Sequence, residues 1–177
     1  MAHDREQVIK QLSDYVVNVL EEKREEFSGL SVCPFVKADR VRDELFLDVF
    51  DTTVDTLIDV VLRFVRSKKR SALIAQVNTN VASKDTEEYQ EFINLVIGAA
   101  DIGDIKALCF NPNETRLAVE GYSPRSKAPY FLINMAYMPD LTKAHRSLKK
   151  TQYYDKMPKD YINYLGIKIK TQTKGTQ

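Results

Sequence analysis

The chain has 177 residues, 44% of them hydrophobic and 29% charged, enough to bury roughly 70% of the surface its unfolded form would expose and so to form one core. Its 26 cations and 25 anions leave a net charge of +1, which excludes a global field drawing it onto nucleic acid or an anionic membrane. The N-terminus "MAHDREQVIK" has no apolar signal core and no run approaches a membrane span, so a soluble, cytoplasmic protein is expected.

Two cysteines, Cys33 and Cys109, are too few for a disulfide framework and lie far apart, which points to reduced thiols. With only His3 and His145 as histidines, a Cys/His zinc site is not expected, and neither a metal nor a cofactor is assigned. No glycine-rich phosphate loop occurs among the six scattered glycines.

In chain order, Asp4 with Gln7 reads as a helix start, and Val8, Leu12, Tyr15, Val16, Val19, Leu20 and Phe27 recur at helical spacing. The spacing predicts one long helix stopped by Ser28-Gly29. "ELFLDVF" (44–50) reads as a strand, and Asp51-Thr52-Thr53 as the cap of a helix with Leu57, Ile58, Val61, Leu62 and Val65 on one face. "ALIAQV" (72–77) is apolar enough for the middle of a sheet. A helix carrying Tyr89, Phe92, Ile93, Val96 and Ile97 follows, then a strand at 105–110 ended by the turn "NPNE".

This βαβαβ order argues for parallel neighbours covered by helices. The segment 111–127 then reads as a long loop, 128–137 as a fourth strand, antiparallel at an edge or beside the third, and 140–150 as a short helix. Helical turns bearing Tyr161, Tyr164 and Leu165 dock last, before a flexible tail at 167–177. The expected fold is therefore a single α/β (α+β) domain over 1–166, with a mixed sheet of about four strands packed by helices.

"LSVCPFVK" after a first helix, "FNP" at a strand end and "SPRSKAPYFLINMAY" before a last helix together resemble a bacterial family of unknown function. That family carries Cys-Pro-Phe-Ala, Phe-His-Pro and Asn-Arg-Ser-Pro-Tyr-Pro motifs in this order. The resemblance spans most of the chain and implies a domain type rather than a reaction. It marks Cys33, Pro34 and Phe35, then Phe110 and Pro112, then Arg125, Ser126, Pro129 and Tyr130. Asn111 and Asn134 stand where the family has histidines, so any metal binding or proton transfer by those histidines is lost here.

Two places hold candidate chemistry. Cys33 is either a nucleophilic or redox thiolate, lowered in pKa by Lys37, Arg40 or Arg125, or a small hydrophobe filling a corner of the fold. Arg125 and Lys127, in a loop starting at the carboxyl end of a strand, are placed to clamp an anion, or else form an exposed basic loop. Arg40, Asn111, Arg125, Lys127 and Tyr130 are thus the candidate ligand-binding residues, with Cys33 the candidate catalytic one. Asn111 also reads as plain turn chemistry, Cys109 as core, and His145 as a solvated histidine on a surface helix. The expected partner is a small anionic ligand held between the Cys33 loop and the 121–130 loop. The alternative is a non-catalytic interaction protein using the tyrosine-rich stretch "YYDKMPKDYINY" as its surface. Convergence of Cys33 and Arg125 in one cleft separates the two readings.

Overall fold

In the computed structural model, residues 4–114 and 119–165 are described. The expected tail at 167–177 lies outside them. Four strands form one mixed sheet: β1 (Leu45–Asp51), β2 (Ser71–Val77), β3 (Ile105–Phe110) and β4 (Phe131–Tyr137) in the order β1-β2-β4-β3. The α/β class and the four-stranded mixed sheet agree with the sequence reading. β1 and β2 are parallel, joined through α3 (Leu57–Ser67), while β4 runs antiparallel to both β2 and β3. The second crossover, through α4 (Thr86–Ala99), leaves a gap beside β2 that β4 fills. Its residues are apolar enough for that central place: Leu132, Ile133 and Met135 have no exposed surface.

Strand alternation sorts the core into two layers. Ala72, Ile74, Ile133, Met135, Ala107 and Cys109 face α3 and α4, which bring Val60, Val61 and Phe64 and then Ile93 and Ile97. Leu73, Ala75, Val77 and Leu132 face the other way, toward α1 (Arg5–Tyr15), α2 (Pro34–Val41), α5 (Met138–Leu148) and α6 (Lys159–Tyr164).

The N-terminal segment departs from one continuous helix. Asp4 does cap α1, accepting from the Glu6 N–H at 3.0 Å. After Tyr15 the chain widens into a π-helical turn, Val16–Leu20, closed by the Glu21 N–H donating to the Val16 carbonyl at 2.9 Å. Phe27 reaches the core from a separate 3₁₀ turn, Glu25–Phe27, which ends on left-handed Ser28 and Gly29. The periodicity found the buried positions while the backbone delivering them changed.

Two further boundaries move. Cys33 does not trail a helix but caps the start of one, because Pro34 occupies the first helical position, where its missing N–H costs nothing. The helix after β1 begins later than Asp51: Thr56 and Asp59 form a reciprocal capping box, and Asp51 instead accepts from the Thr53 N–H in the preceding turn. Among the described residues no helix is long and apolar enough to cross a membrane.

Candidate functional site

The start of α2 is held from two sides. The Cys33 N–H donates to the Leu20 carbonyl at 2.7 Å, so the π turn ends where it can take the cap residue's backbone. The Tyr153 hydroxyl donates to the Val32 carbonyl. The loop carrying Arg125 is pinned to α1, since the Tyr15 hydroxyl donates to the Pro124 carbonyl at 2.8 Å. These ties bring segments more than a hundred residues apart around one cavity of about 110 Å³. Its floor is the sheet, through Lys106, Leu108 and Phe110 of β3 and Asn134 and Ala136 of β4. Cys33 and Phe35 of α2, Arg125, His145 of α5 and Tyr161 of α6 stand around it. Cys33 and Arg125 therefore share a cavity.

Arg125 is the outstanding group. It is only 1% exposed, and its Nε, Nη1 and Nη2 have no hydrogen-bond partner among the described residues. Its guanidinium carbon lies 4.0 Å from the centre of the Tyr164 ring, 5.2 Å from Phe110 and 5.3 Å from Tyr161. The ring faces offer an attractive quadrupole, but they cannot accept the in-plane N–H bonds a guanidinium carries. A buried cation without those bonds is costly to the fold. Tyr161 is close enough to feel the charge: burial raises its pKa and Arg125 opposes that rise, although the geometry falls short of a hydrogen bond.

The surroundings of Cys33 work against a thiolate. Burial pushes its thiol up to about 11, Asp39 adds to the rise, and the N–H groups of Phe35 and Val36 in the first turn of α2 offset it only in part. The lowering by Lys37, Arg40 or Arg125 expected from sequence does not occur. Lys37 is exposed, and Arg40 pairs with Glu21, its Nη2 at 3.0 Å from the carboxylate.

His145 is the cavity residue that sequence reading missed. Rather than being solvated, it lies against the edge of Phe35 with ring centres 5.8 Å apart, and its Nδ1 is 2.7 Å from the Tyr154 hydroxyl. Burial, reinforced by Lys149 and Lys106, lowers its pKa to about 4, so the imidazole is neutral at pH 7. The signal was present in the spacing Leu141, His145, Leu148, which places His145 on the inward stripe of α5.

A second recess, of about 340 Å³, opens on the far side of Cys33 between α2 and α5. Here Asp39 accepts from the Ser71 hydroxyl at 2.6 Å, and Arg70 pairs with Asp140 at 3.0 Å and Glu44 at 3.3 Å. Burial raises the Asp39 pKa, against the pull of Ser71 and Arg70.

The remaining candidates lie elsewhere. Lys127 stacks its ammonium over Tyr122 at 4.7 Å. Asn111, 1% exposed, donates to the Val81 carbonyl at 3.1 Å and the Thr86 hydroxyl at 3.0 Å and accepts from the Asn113 N–H at 3.0 Å, which is turn chemistry. The Tyr130 hydroxyl donates to Gln11. Asn111 and Tyr130 border a separate shallow recess. Cys109 is buried in the α3–α4 layer, and burial pushes its thiol up to about 12. Tyr153, Tyr154 and Tyr161 are 7%, 6% and 6% exposed, so the proposed tyrosine surface faces inward. The described residues hold no group of three or more His, Cys, Asp or Glu side chains able to bind a metal.

Comparison of the chain with protein-family models, with curated proteins and with solved structures finds no match. The motif resemblance rests on its quoted residues alone.

Proposed function

We propose that this protein binds a small carboxylate in the cavity between Cys33 and Arg125. The observation that carries the reading is Arg125: its guanidinium is buried without a hydrogen-bond acceptor among the described residues, and the residue lines the cavity. A planar carboxylate supplies the two parallel acceptors that the guanidinium fork lacks. The body of that ligand is short and apolar, because the walls are chiefly Leu108, Phe110, Phe35 and tyrosine rings. The volume is somewhat below the roughly 150 Å³ that admits benzene, which suits an acid of about four carbons.

Binding is favoured over covalent catalysis by the protonation states. A thiol pushed up to about 11 and an imidazole lowered to about 4 are both neutral at pH 7. Cys33 and the neutral His145 then act as wall groups and hydrogen-bond partners, and Asn134 adds a side-chain amide from β4. A reducing, cytoplasmic setting fits two cysteines that form no disulfide. Nucleic acid is not the expected partner, since the aromatic rings that would stack bases are used inside the core.

Titration calorimetry with butyrate and its neutral analogue butyramide tests the reading. Wild-type protein is expected to prefer butyrate, and Arg125→Met to lose about 10- to 100-fold of that affinity, as for hydrogen bonds to a charged partner. Equal binding of both compounds, or an unchanged affinity in Arg125→Met, would refute it.

A further inference from the structure

We infer that the ligand of this cavity is a short dicarboxylate, one carboxylate held by Arg125 and the other by Lys106. This rests on the carboxylate reading above and names its substrate class. Lys106 lines the same cavity as Arg125, and no Asp or Glu stands among the lining residues. No hydrogen bond or ion pair among the described residues uses the Lys106 side chain. Its charge is nonetheless felt inside: burial is the chief cause of the lowered His145 pKa, Lys149 and Lys106 add to it, and of those two lysines only Lys106 lines the cavity with His145. An enclosed space bordered by two cations and no anion favours a ligand with two negative charges.

The strand separates the two charges. Alternation along β3 puts Lys106, Leu108 and Phe110 on one face, and all three line the cavity. Arg125 stands at the Phe110 end, its guanidinium carbon 5.2 Å from that ring. Lys106 is rooted four residues away, about 13 Å of strand between Cα atoms, with Leu108 between them. Two cations rooted apart across an apolar residue suit two carboxylates on an apolar spacer better than one doubly charged phosphate. The lysine stem is long and flexible, so it can lean toward the guanidinium, and a cavity of about 110 Å³ limits the spacer to about two or three methylenes. The two ends also differ in enclosure, since Arg125 is 1% exposed and Lys106 only half-buried. The first carboxylate supplies the acceptors of a desolvated cation, whereas the second meets a partly hydrated one, where an ion pair contributes less. Arg125 thus sets the affinity for any carboxylate, and Lys106 selects the dicarboxylate.

The test compares butyrate, succinate, glutarate and propyl phosphate by calorimetry on the full chain at pH 8, where the last three carry two negative charges. The better of succinate and glutarate is expected to bind about 5- to 10-fold more tightly than butyrate, and more tightly than propyl phosphate. Lys106→Met should cancel that gain while leaving butyrate binding unchanged, and Lys106→Arg, which keeps the charge, should retain it. An unaltered melting temperature of ligand-free Lys106→Met shows that the fold is intact, and the comparison of ligands on wild-type protein decides independently of the variants. If butyrate binds but neither dicarboxylate binds more tightly, or Lys106→Met weakens butyrate and the dicarboxylates equally, the second carboxylate position is wrong and the first stands. Propyl phosphate binding as tightly as the dicarboxylates would bring both charges to one point and overturn the separated pair. If none of the four binds, both readings fall.

Discussion

Arg125, Cys33 and His145 show how far burial sets side-chain chemistry. Each is an ordinary residue type in sequence, and each is altered by the same apolar enclosure: Arg125 loses its acceptors, Cys33 its acidity and His145 its basicity. The His145 shift has a sign that can be followed. Its ordinary value is 6.5 and its folded value about 4, so below 6.5 the unfolded chain takes up a proton that the folded one refuses. The contribution is fully present above 6.5 and is lost as pH falls toward 4. Urea melts between pH 7 and pH 4.5 should show this loss, and His145→Gln should flatten it. A slope unchanged by the substitution would mean that His145 is not the titrating group. At this scale sequence reading picked out Cys33 and Arg125, because Cys-Pro at a helix boundary and an arginine in a long loop are locally odd. It set Arg40, Asn111, Lys127 and Tyr130 beside them without means to tell them apart: whether a cation meets Glu21, a tyrosine ring or a cavity wall depends on contacts made across the fold.

Among the elements, β3 shows how side chains finish a sheet edge. The Asn94 amide of α4 donates to the Ala107 carbonyl at 2.9 Å and accepts from the Ala107 N–H at 2.8 Å, as a neighbouring strand would. Gln90 accepts from the Cys109 N–H at 2.7 Å, and the Tyr164 hydroxyl donates to the Cys109 carbonyl at 2.6 Å. The edge is closed to further strands. Tyr164 thereby serves two ends, since the same ring lies 4.0 Å from Arg125. Asn94→Leu keeps the volume and removes the pairing, so it should cost about 1–3 kcal/mol and promote self-association along β3. Denaturant melts and gel-filtration elution report the two effects, and wild-type behaviour in both would contradict the edge-capping role. Helical and strand periodicities were legible in sequence because burial enforces them; Val8, Leu12, Tyr15 and Phe27 are all buried as expected. The π turn at Val16–Leu20 was not legible, because it keeps the same residues inward while altering the hydrogen-bond step. The helix opened by Pro34 was hidden in the same way, as its cap residue is a cysteine rather than a usual N-cap type.

At the scale of the molecule, the cavity exists because β4 inserts between β2 and β3. That insertion places Asn134 and Ala136 beneath the start of α2 and brings the Arg125 loop, just ahead of β4, over β3. Sequence order alone suggested successive parallel neighbours; the antiparallel insertion is a long-range choice, encoded in the apolar character of "FLINM" and in the room left between the two crossovers. A long loop beginning at the carboxyl end of a strand points to the cavity, and its closing partners include Tyr161 of α6, expected from sequence to dock, and the Tyr153–Tyr154 pair. The molecule thus encloses a guanidinium that its own described residues do not satisfy, an arrangement that costs stability.

The most direct measurement is the denaturant stability of ligand-free Arg125→Met against wild type, each repeated with saturating butyrate. If Arg125 is held for a ligand, removing its buried charge should leave stability unchanged or raised, and butyrate should stabilise wild type alone. A large loss of stability in Arg125→Met, with no effect of butyrate on wild type, would show instead that the guanidinium is a structural pillar of the aromatic layer and that the cavity has no carboxylate to bind.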